Sequence, residues 1–439
     1  MMLNLVGVII AFAIVILLIR KKFNFGLSLI AGSLVIGVFS LQEINLADIP
    51  KAIIEAIFYK FEGKPLESII NNFEINRVYT ETIELAILMT VIYILAKLMQ
   101  ETGAITKLIN SFRPIFSKGG TLGVIPALYG LMPVPGGALF SAPLIDEEGE
   151  KYKLNKNQKN YLNVWFRHIW FPIYPISSAM ILICSVEFSD IEISTLILFN
   201  IPAFIVSIAI GLFFLKKFIK VNPDEIKENH RHKNISGFKF LLPPIIPLLT
   251  YAVLWVLGVP QIRSFLIGVI ISLFAVYLLT KIEFKKFIKL IKKSLTLKLA
   301  LAIFGIMIFR EMITVSGADL VIADLIALSH IPTISMVVLI PLLLGVLTGY
   351  NLGAVALSYP IVQPFFPQPL DSITLVGLTS LIFMSSIVGY LISPIHLCNV
   401  LSSDYLKTDT TRMYKTYIPS ALAMLVVQIV FIVLIVNIL

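Results

Sequence analysis

Long apolar runs alternate with short polar turns along the whole chain. Ten of the runs read as membrane-spanning helices: 2–20, 25–41, 84–106, 162–185, 192–215, 238–257, 262–280, 299–318, 372–401 and 417–438. About 20 apolar residues cross a bilayer as a helix, and several of these segments reach that length almost without charge. Two further apolar stretches, 122–145 and 335–362, are interrupted by Gly, Pro and Asn. The first contains LMPVPGGALFSAPLI (131–145), a run of prolines and glycines that breaks helical hydrogen bonding. Both are read as re-entrant hairpins, entering and leaving on one side. The expected fold is an all-α, polytopic membrane protein.

The polar positions set an orientation. If the turn at Arg20–Lys22 is cytoplasmic and the spans alternate, the cytoplasmic segments are 20–24, 107–121, 146–161, 216–237, 281–298 and 402–416. About 27 of the 35 Lys and Arg then fall in or beside them, as the positive-inside rule requires. Both termini are expected outside the cytoplasm, in a multi-pass protein of the cell membrane. This layout accounts for the net charge of +9 without nucleic acid. The basic stretch KIEFKKFIKLIKKSLTLK (281–298) reads as a partly amphipathic segment on anionic headgroups. Composition agrees: 58% of residues are hydrophobic and 14% charged, far from the quarter charged of a soluble domain. The basic cluster follows the first apolar run, which argues against a cleaved signal peptide. Cys184 and Cys398 lie in apolar segments and suggest neither a disulfide framework nor a metal site.

The chain repeats itself. PGGALFSAPLI (135–145) aligns with LGAVALSYPIV (352–362), matching Gly136 to Gly353, Ser141 to Ser358 and Pro143 to Pro360 at an offset of 217. Upstream, MQETGAITKLI (99–109) aligns with ITVSGADLVIA (313–323) at offset 214. Downstream, YPISSAMIL (174–182) aligns with SPIHLCNVL (393–401) at offset 219. Three colinear matches imply a duplicated unit, 1–220 and 238–439, joined by a hydrophilic linker at 221–237. Each unit holds five spans and one hairpin. An odd number inserts the second copy the opposite way up, an inverted repeat of the kind secondary transporters use. The segment around 60–80 has no counterpart in the second unit.

Four breaks carry the candidate chemistry. Hairpin 1 breaks at PVPGG, with Pro135 suited to start a half-helix and Gly136 and Gly137 beside it. Hairpin 2 breaks at TGYNLG, with Thr348, Gly349 and Asn351, the last a suitable N-cap. The span after hairpin 1 breaks at FPIYP, next to Tyr174, Ser177 and Ser178, and its counterpart breaks at Ser393-Pro394, before His396. Up to four half-helix N-termini then face one midplane site, with free N–H groups and partial positive charge that favour an anion. Released carbonyls could hold Na+ instead. No Asp or Glu lies in the four motif segments, which weighs against a cation site built on a carboxylate. Substrate binding is therefore assigned to Pro135, Gly136, Gly137, Ser141, Tyr174, Ser177, Ser178, Thr348, Gly349, Asn351, Gly353, Ser358, Ser393 and His396. Arg167 either neutralises the anion or snorkels to lipid phosphate. His168 and His396 either carry a coupling proton or are neutral core histidines. Lys97 and Glu101, four residues apart, are expected to pair. Arg310, Glu311, Asp319 and Asp324 read as paired or interfacial, with a proton path through Glu101 or Asp319 as the alternative.

The order of TGA-type helix, Gly/Pro-rich hairpin and Pro-broken helix, used twice, resembles the ion transporter superfamily. PVPGGALFSAP is most similar to the DUF401 family within it. The resemblance spans essentially the whole chain. It implies a carrier of di- or tricarboxylates, sugar acids or arsenite, or a Na+/H+ antiporter, working as a homodimer with an elevator-like motion of the hairpin domain. Dicarboxylate carriers hold substrate and Na+ on a Ser-Asn-Thr motif in each hairpin. This chain departs from that, with Pro-Gly-Gly in hairpin 1 and Gly349-Tyr350 between Thr348 and Asn351 in hairpin 2.

The functional expectation is a secondary transporter of a small organic anion, coupled to Na+ or H+. It needs no cofactor beyond the coupling ion, and its partners are the anion, the bilayer and a second copy of the chain. The alternative is a Na+/H+ antiporter using Glu101 or Asp319. An enzyme is disfavoured because no HExxH run or paired acidic motif occurs, and the absence of a phosphate-binding loop argues against an ATP-driven pump.

Overall fold

A computed structural model describes residues 2–58, 81–116, 119–132, 136–220, 235–322 and 331–436. These residues are helical, with no strand among them. The first half runs α1 (Met2–Arg20), α2 (Phe25–Phe39), α3 (Asp48–Ile57), α4 (Thr82–Glu101), α5 (Ala104–Phe112), α6 (Thr121–Gly130), α7 (Ala138–Lys151), α8 (Lys156–His168), α9 (Ser178–Ile183) and α10 (Ile193–Phe218). The second runs α11 (Leu242–Val256), α12 (Gln261–Thr280), α13 (Phe284–Ser294), α14 (Leu297–Val315), α15 (Thr333–Thr348), α16 (Asn351–Val362), α17 (Ser372–Ile392), α18 (Leu397–Leu406) and α19 (Thr410–Val436).

Seven of the described helical segments are long and apolar enough to cross a membrane, so this is a multi-pass membrane protein. Three of the ten expected spans fall short as single helices. Phe25–Phe39 has only 15 residues. The 162–185 segment is broken between His168 and Ser178. Leu297–Val315 carries Lys298, Arg310 and Glu311. The expected 84–106 span stops at Glu101, and Gly103, at φ +72°, turns the chain into the separate α5. The 60–80 segment, Pro135 and Asp324 lie outside the described residues.

Burial orders the helices. The most apolar stretch of α17–α18 is 89% buried, against 17% for that of the segment ending in α11. A helix apolar all round can sit at the centre or face lipid. Here α17 is central, and α1, α10, α11 and α19 present apolar faces outward. Polar side chains inside are paired across helices. Asn200 donates to the Pro172 carbonyl at 2.9 Å and accepts from Ser380 at 2.7 Å, while Gln428 donates to Ser380 and to the Phe199 carbonyl. Asn200 thereby satisfies a carbonyl in the α8–α9 break, as nonhelical backbone at membrane depth requires.

The packing of one half is mirrored in the other. α2 lies on α14, and α12 on α4. α3 lies on α14, and α13 on α4. α9 packs on α16, and α18 on α7. α10 packs on α17, and α19 on α8. Contacts also join equivalent helices, α4 to α14 and α10 to α19, and cross-pair the broken helices, α8 to α18 and α9 to α17. Each of these packings has its counterpart when the halves are exchanged; the contact of α1 with α15 and that of α5 with the 3-10 turn Ile235–Leu241 have none of comparable extent among the described residues.

Three of the charges expected to be paired can be placed. Lys97 and Glu101 do not pair with each other: Lys97 donates to the Gln100 amide oxygen at 3.3 Å, and Glu101 takes Lys293 of α13 at 3.3 Å. Four positions along a helix bring two side chains near one another, but a cation on a neighbouring helix competes for the carboxylate. Arg310 pairs with Glu187 at 2.8 Å, joining α14 to the turn after α9. α13 is amphipathic as expected, with Phe287 buried and Lys285, Lys286 and Lys289 exposed.

Candidate functional site

Both broken helices stop at proline. α8 is started by a capping box, Asn155 and Gln158 bonding each other's backbone N–H. It ends at His168, before Pro172 and Pro175. α9 restarts at Ser178, capped by the Ser177 hydroxyl, which accepts from Met180 N at 3.3 Å. Ser177 is thus the cap itself. α17 ends at Ile392, and α18 does not begin at Pro394 but at Leu397, with His396 in the capping position. Ser393 instead donates to the Val346 carbonyl of α15 at 2.6 Å and accepts from Ile395 N at 3.3 Å.

The two breaks meet. The rings of His168 and His396 are 4.8 Å apart between centroids, and Tyr390 lies 4.1 Å from His396. His168 Nδ1 is 2.6 Å from the Val164 carbonyl, and its Nε2 is 3.3 Å from the Tyr390 hydroxyl. A carbonyl only accepts, so Nδ1 carries the proton and Nε2 the lone pair. Both imidazoles are buried, and neither ring nitrogen of His396 makes a hydrogen bond of ordinary geometry.

The ends of two helix pairs, α6–α7 and α15–α16, reach this junction. In the first, Gly136 at φ +70° turns the chain into α7. A Cβ on Gly136 would lie 2.6 Å from Leu401 and 3.3 Å from Leu397, so the start of α7 abuts α18. A Cβ on Gly137 would lie 1.9 Å from Arg167 Nη2. Arg167 is 3% exposed and does not snorkel. Its guanidinium donates to the carbonyls of Tyr129 at 2.7 Å and Met132 at 3.3 Å, closing the end of α6. Tyr174 donates to the next free carbonyl there, Leu131. In the second, Gly349 at φ +59° ends α15, and a Cβ on it would meet Ile395 at 2.7 Å. The short segment Ile395–Leu397 therefore touches both tips.

Asn351 is not the N-cap expected. Tyr350 holds that position, and Asn351 is the first helical residue, 7% exposed, with its Oδ1 lacking any partner. α16 has no side-chain cap: the Thr348 hydroxyl donates to Leu344 O at 2.7 Å and accepts from Tyr350 N at 3.3 Å, within the turn before the helix.

The remaining expected residues divide. Ser141 is buried and donates to Asn163 Oδ1 at 2.5 Å. Ser358 is buried and turns to its own Val355 carbonyl, at 3.4 Å. Gly353 packs against the Phe25 ring, and Ser178 is half-buried at the start of α9. Glu101 pairs with Lys293, and Asp319 accepts from Leu320 N, so their bonds are made away from the junction.

Sequence reading missed a polar seam between α8 and α18. Asn163 donates to Ala138 O at 2.9 Å and to Ser402 Oγ at 2.8 Å, and Asn160 donates to Ser403 Oγ at 2.8 Å. The signal was present as Asn160 and Asn163, three apart on one helix face, within an apolar stretch. Tyr390 and Cys398, which join the histidines, were also missed. Lys159, wholly buried between α7 and α8, pairs with Asp146 at 2.8 Å and with Glu150.

The family model described as "Protein of unknown function (DUF401)" matches residues 4–436, nearly the full chain. The chain belongs to the DUF401 family. The match covers both halves of this DUF401 protein. No curated protein matches the chain.

Proposed function

We propose that this DUF401 protein is a secondary transporter of a small organic anion, a carboxylate or sugar acid, coupled to Na+ or H+. The observation that carries the proposal is the convergence at Ile395–Leu397. The helix starts of α7, α16 and α18 adjoin this segment, beside the buried Arg167 guanidinium. Helix N-termini offer N–H donors and partial positive charge, and a guanidinium adds a full one. α9 has six residues and contributes little dipole, so three such termini remain of the four expected. The uncommitted Asn351 Oδ1, at the start of α16, supplies a buried polar group whose partner is substrate or coupling ion.

The exchange symmetry of the packing supports the reading of two inverted repeats. The lengths of α6 and α16 support re-entrant hairpins. Their 10 and 12 residues rise about 15 and 18 Å, half of a ~30 Å hydrocarbon core. On this reading the chain falls within the ion transporter superfamily, and the junction is the midplane site that alternating access exposes to either side. The antiporter alternative is the weaker one, because Glu101 and Asp319 form their bonds away from the junction. Uptake of labelled carboxylates and sugar acids into proteoliposomes, with and without Na+ and pH gradients, tests the proposal. Gradient-driven accumulation of one anion is expected. Na+/H+ exchange with every anion inert would refute it.

A further inference from the structure

The junction contains a second set of donors whose chemistry does not suit an anion. One ligand atom from each of His168, His396 and Cys398 lies within 4.8 Å of the other two, and all three residues are buried. The set spans the halves of the chain: His168 ends α8, while His396 and Cys398 flank the start of α18.

Three features suit a metal. A metal-ligating histidine characteristically donates its other ring N–H to a carbonyl or carboxylate, which fixes the tautomer. His168 does so through Nδ1 to Val164 at 2.6 Å, leaving the Nε2 lone pair for a ligand. His396 is 0% exposed, and neither ring nitrogen makes a hydrogen bond of ordinary geometry, its polar neighbours being Cys398 and the Leu391 backbone. A native fold seldom leaves such a group unsatisfied, and a bound ion satisfies it. Cys398 sits in the first turn of α18, where the helix terminus favours a thiolate.

We infer that His168, His396 and Cys398 form a site for a borderline-to-soft transition-metal ion of the Zn2+ class. Nitrogen and thiolate donors select such ions over Na+, Mg2+ or Ca2+. Tetrahedral coordination at Zn–N and Zn–S distances of about 2.0–2.3 Å puts two nitrogens and one sulfur roughly 3.3–3.6 Å apart. Donors that are 4.8 Å apart or less therefore draw in by about 1.5 Å at most. The Tyr390 hydroxyl, 3.3 Å from His168 Nε2, gives up that contact or swings to the fourth position. A bound ion would tie the two broken helices together. The inference goes beyond the transport reading and does not depend on it.

The test uses the purified full chain with Co2+ as the spectroscopic probe and Zn2+ as competitor. The expected result is one Co2+ per chain, with a near-ultraviolet thiolate charge-transfer band, intense tetrahedral visible bands and displacement by Zn2+. Cys398→Ser should abolish the thiolate band, whereas Cys184→Ser should keep it. His168→Ala and His396→Ala should each weaken Zn2+ binding by more than the roughly 10–100-fold that a supporting residue costs. Folding of each variant is checked by its thermal transition and monodispersity. If Cys398→Ser does not fold, the two histidine variants in the wild-type cysteine background decide the matter. Absence of stoichiometric binding, a thiolate band that survives Cys398→Ser, or histidine variants with wild-type affinity would each overturn the assignment.

Discussion

The Arg167 guanidinium occupies the space a side chain on Gly137 would need: a Cβ there would lie 1.9 Å from Nη2. The same guanidinium holds the Tyr129 and Met132 carbonyls at the end of α6. One glycine thus lets a buried cation bridge the two arms of the first hairpin at its tip. Gly137→Ala should displace Arg167 and loosen the tip. Hydrogen bonds from a charged donor contribute about 1.5–3 kcal/mol each. The variant should therefore unfold at lower temperature and lose at least tenfold in uptake. Thermal unfolding and proteoliposome uptake measure both, and wild-type values for each would show that Arg167 does not depend on this contact.

Asn351 separates binding from stability. Its buried Oδ1 has no partner, and removing an unsatisfied buried polar group is neutral or stabilising. Asn351→Leu should keep or raise the melting temperature while abolishing uptake. A variant that transports normally would remove Asn351 from the site.

Ser141 and Asn163 share one buried hydrogen bond, 2.5 Å long, between the first hairpin and α8. Asn163 also holds Ser402 of α18. Truncating Asn163 to Ala should cost about 1–3 kcal/mol, because Ser402 Oγ loses its donor and Ser141 keeps only its longer bond to the Ala138 carbonyl. Ser141→Ala in that background should cost less than it does alone, with a coupling of 0.5 kcal/mol or more. Additive losses in denaturant unfolding would show the two residues to be independent.

The proposed inverted repeat carries a prediction about sidedness. Lys22 and Lys407 are exposed in segments placed in the cytoplasm, and Asp190 and Gln368 are exposed in turns placed outside. A single cysteine at each position, labelled with an impermeant maleimide in intact cells and in inverted vesicles, reads the side directly. Lys22→Cys and Lys407→Cys should label only in inverted vesicles, and Asp190→Cys and Gln368→Cys only in cells. Cys184 and Cys398 are buried and give little background. Any pair labelled from the same side against this pattern would rule out the inverted repeat.

The sequence made the skeleton legible because its two strongest signals are backbone signals. Pro172, Pro175 and Pro394 end α8 and α17 within a few residues of where they stand, and glycines mark both tips. Gly136, at φ +70°, turns the chain into α7, and Gly349, at φ +59°, ends α15. Side-chain partners were less legible. Asn351 reads as an N-cap, but the helix takes it in as its first residue and leaves Tyr350 in the cap position. Lys97 and Glu101 read as a pair until α13 brings Lys293 to the carboxylate. Which hydroxyl, amide or cation arrives first depends on helix rotation and crossing, and these are set by packing rather than by spacing along one helix. The meeting of His168 with His396 and Cys398 depends on two helices more than 200 residues apart, and no local pattern reports it.

The central claim is that the junction of hairpin tips and helix breaks binds an anion. The most direct measurement is the thermal unfolding of the purified protein against a panel of small carboxylates, sugar acids and inorganic oxyanions. Each is tested with Na+ and with K+ at two pH values, on the wild type and on Asn351→Leu. A ligand at 100 times its Kd stabilises by about 2.7 kcal/mol, enough for a clear shift. The account predicts that one class of anion stabilises the wild type and not Asn351→Leu. Stabilisation by Na+ alone, with every anion inert, would contradict it.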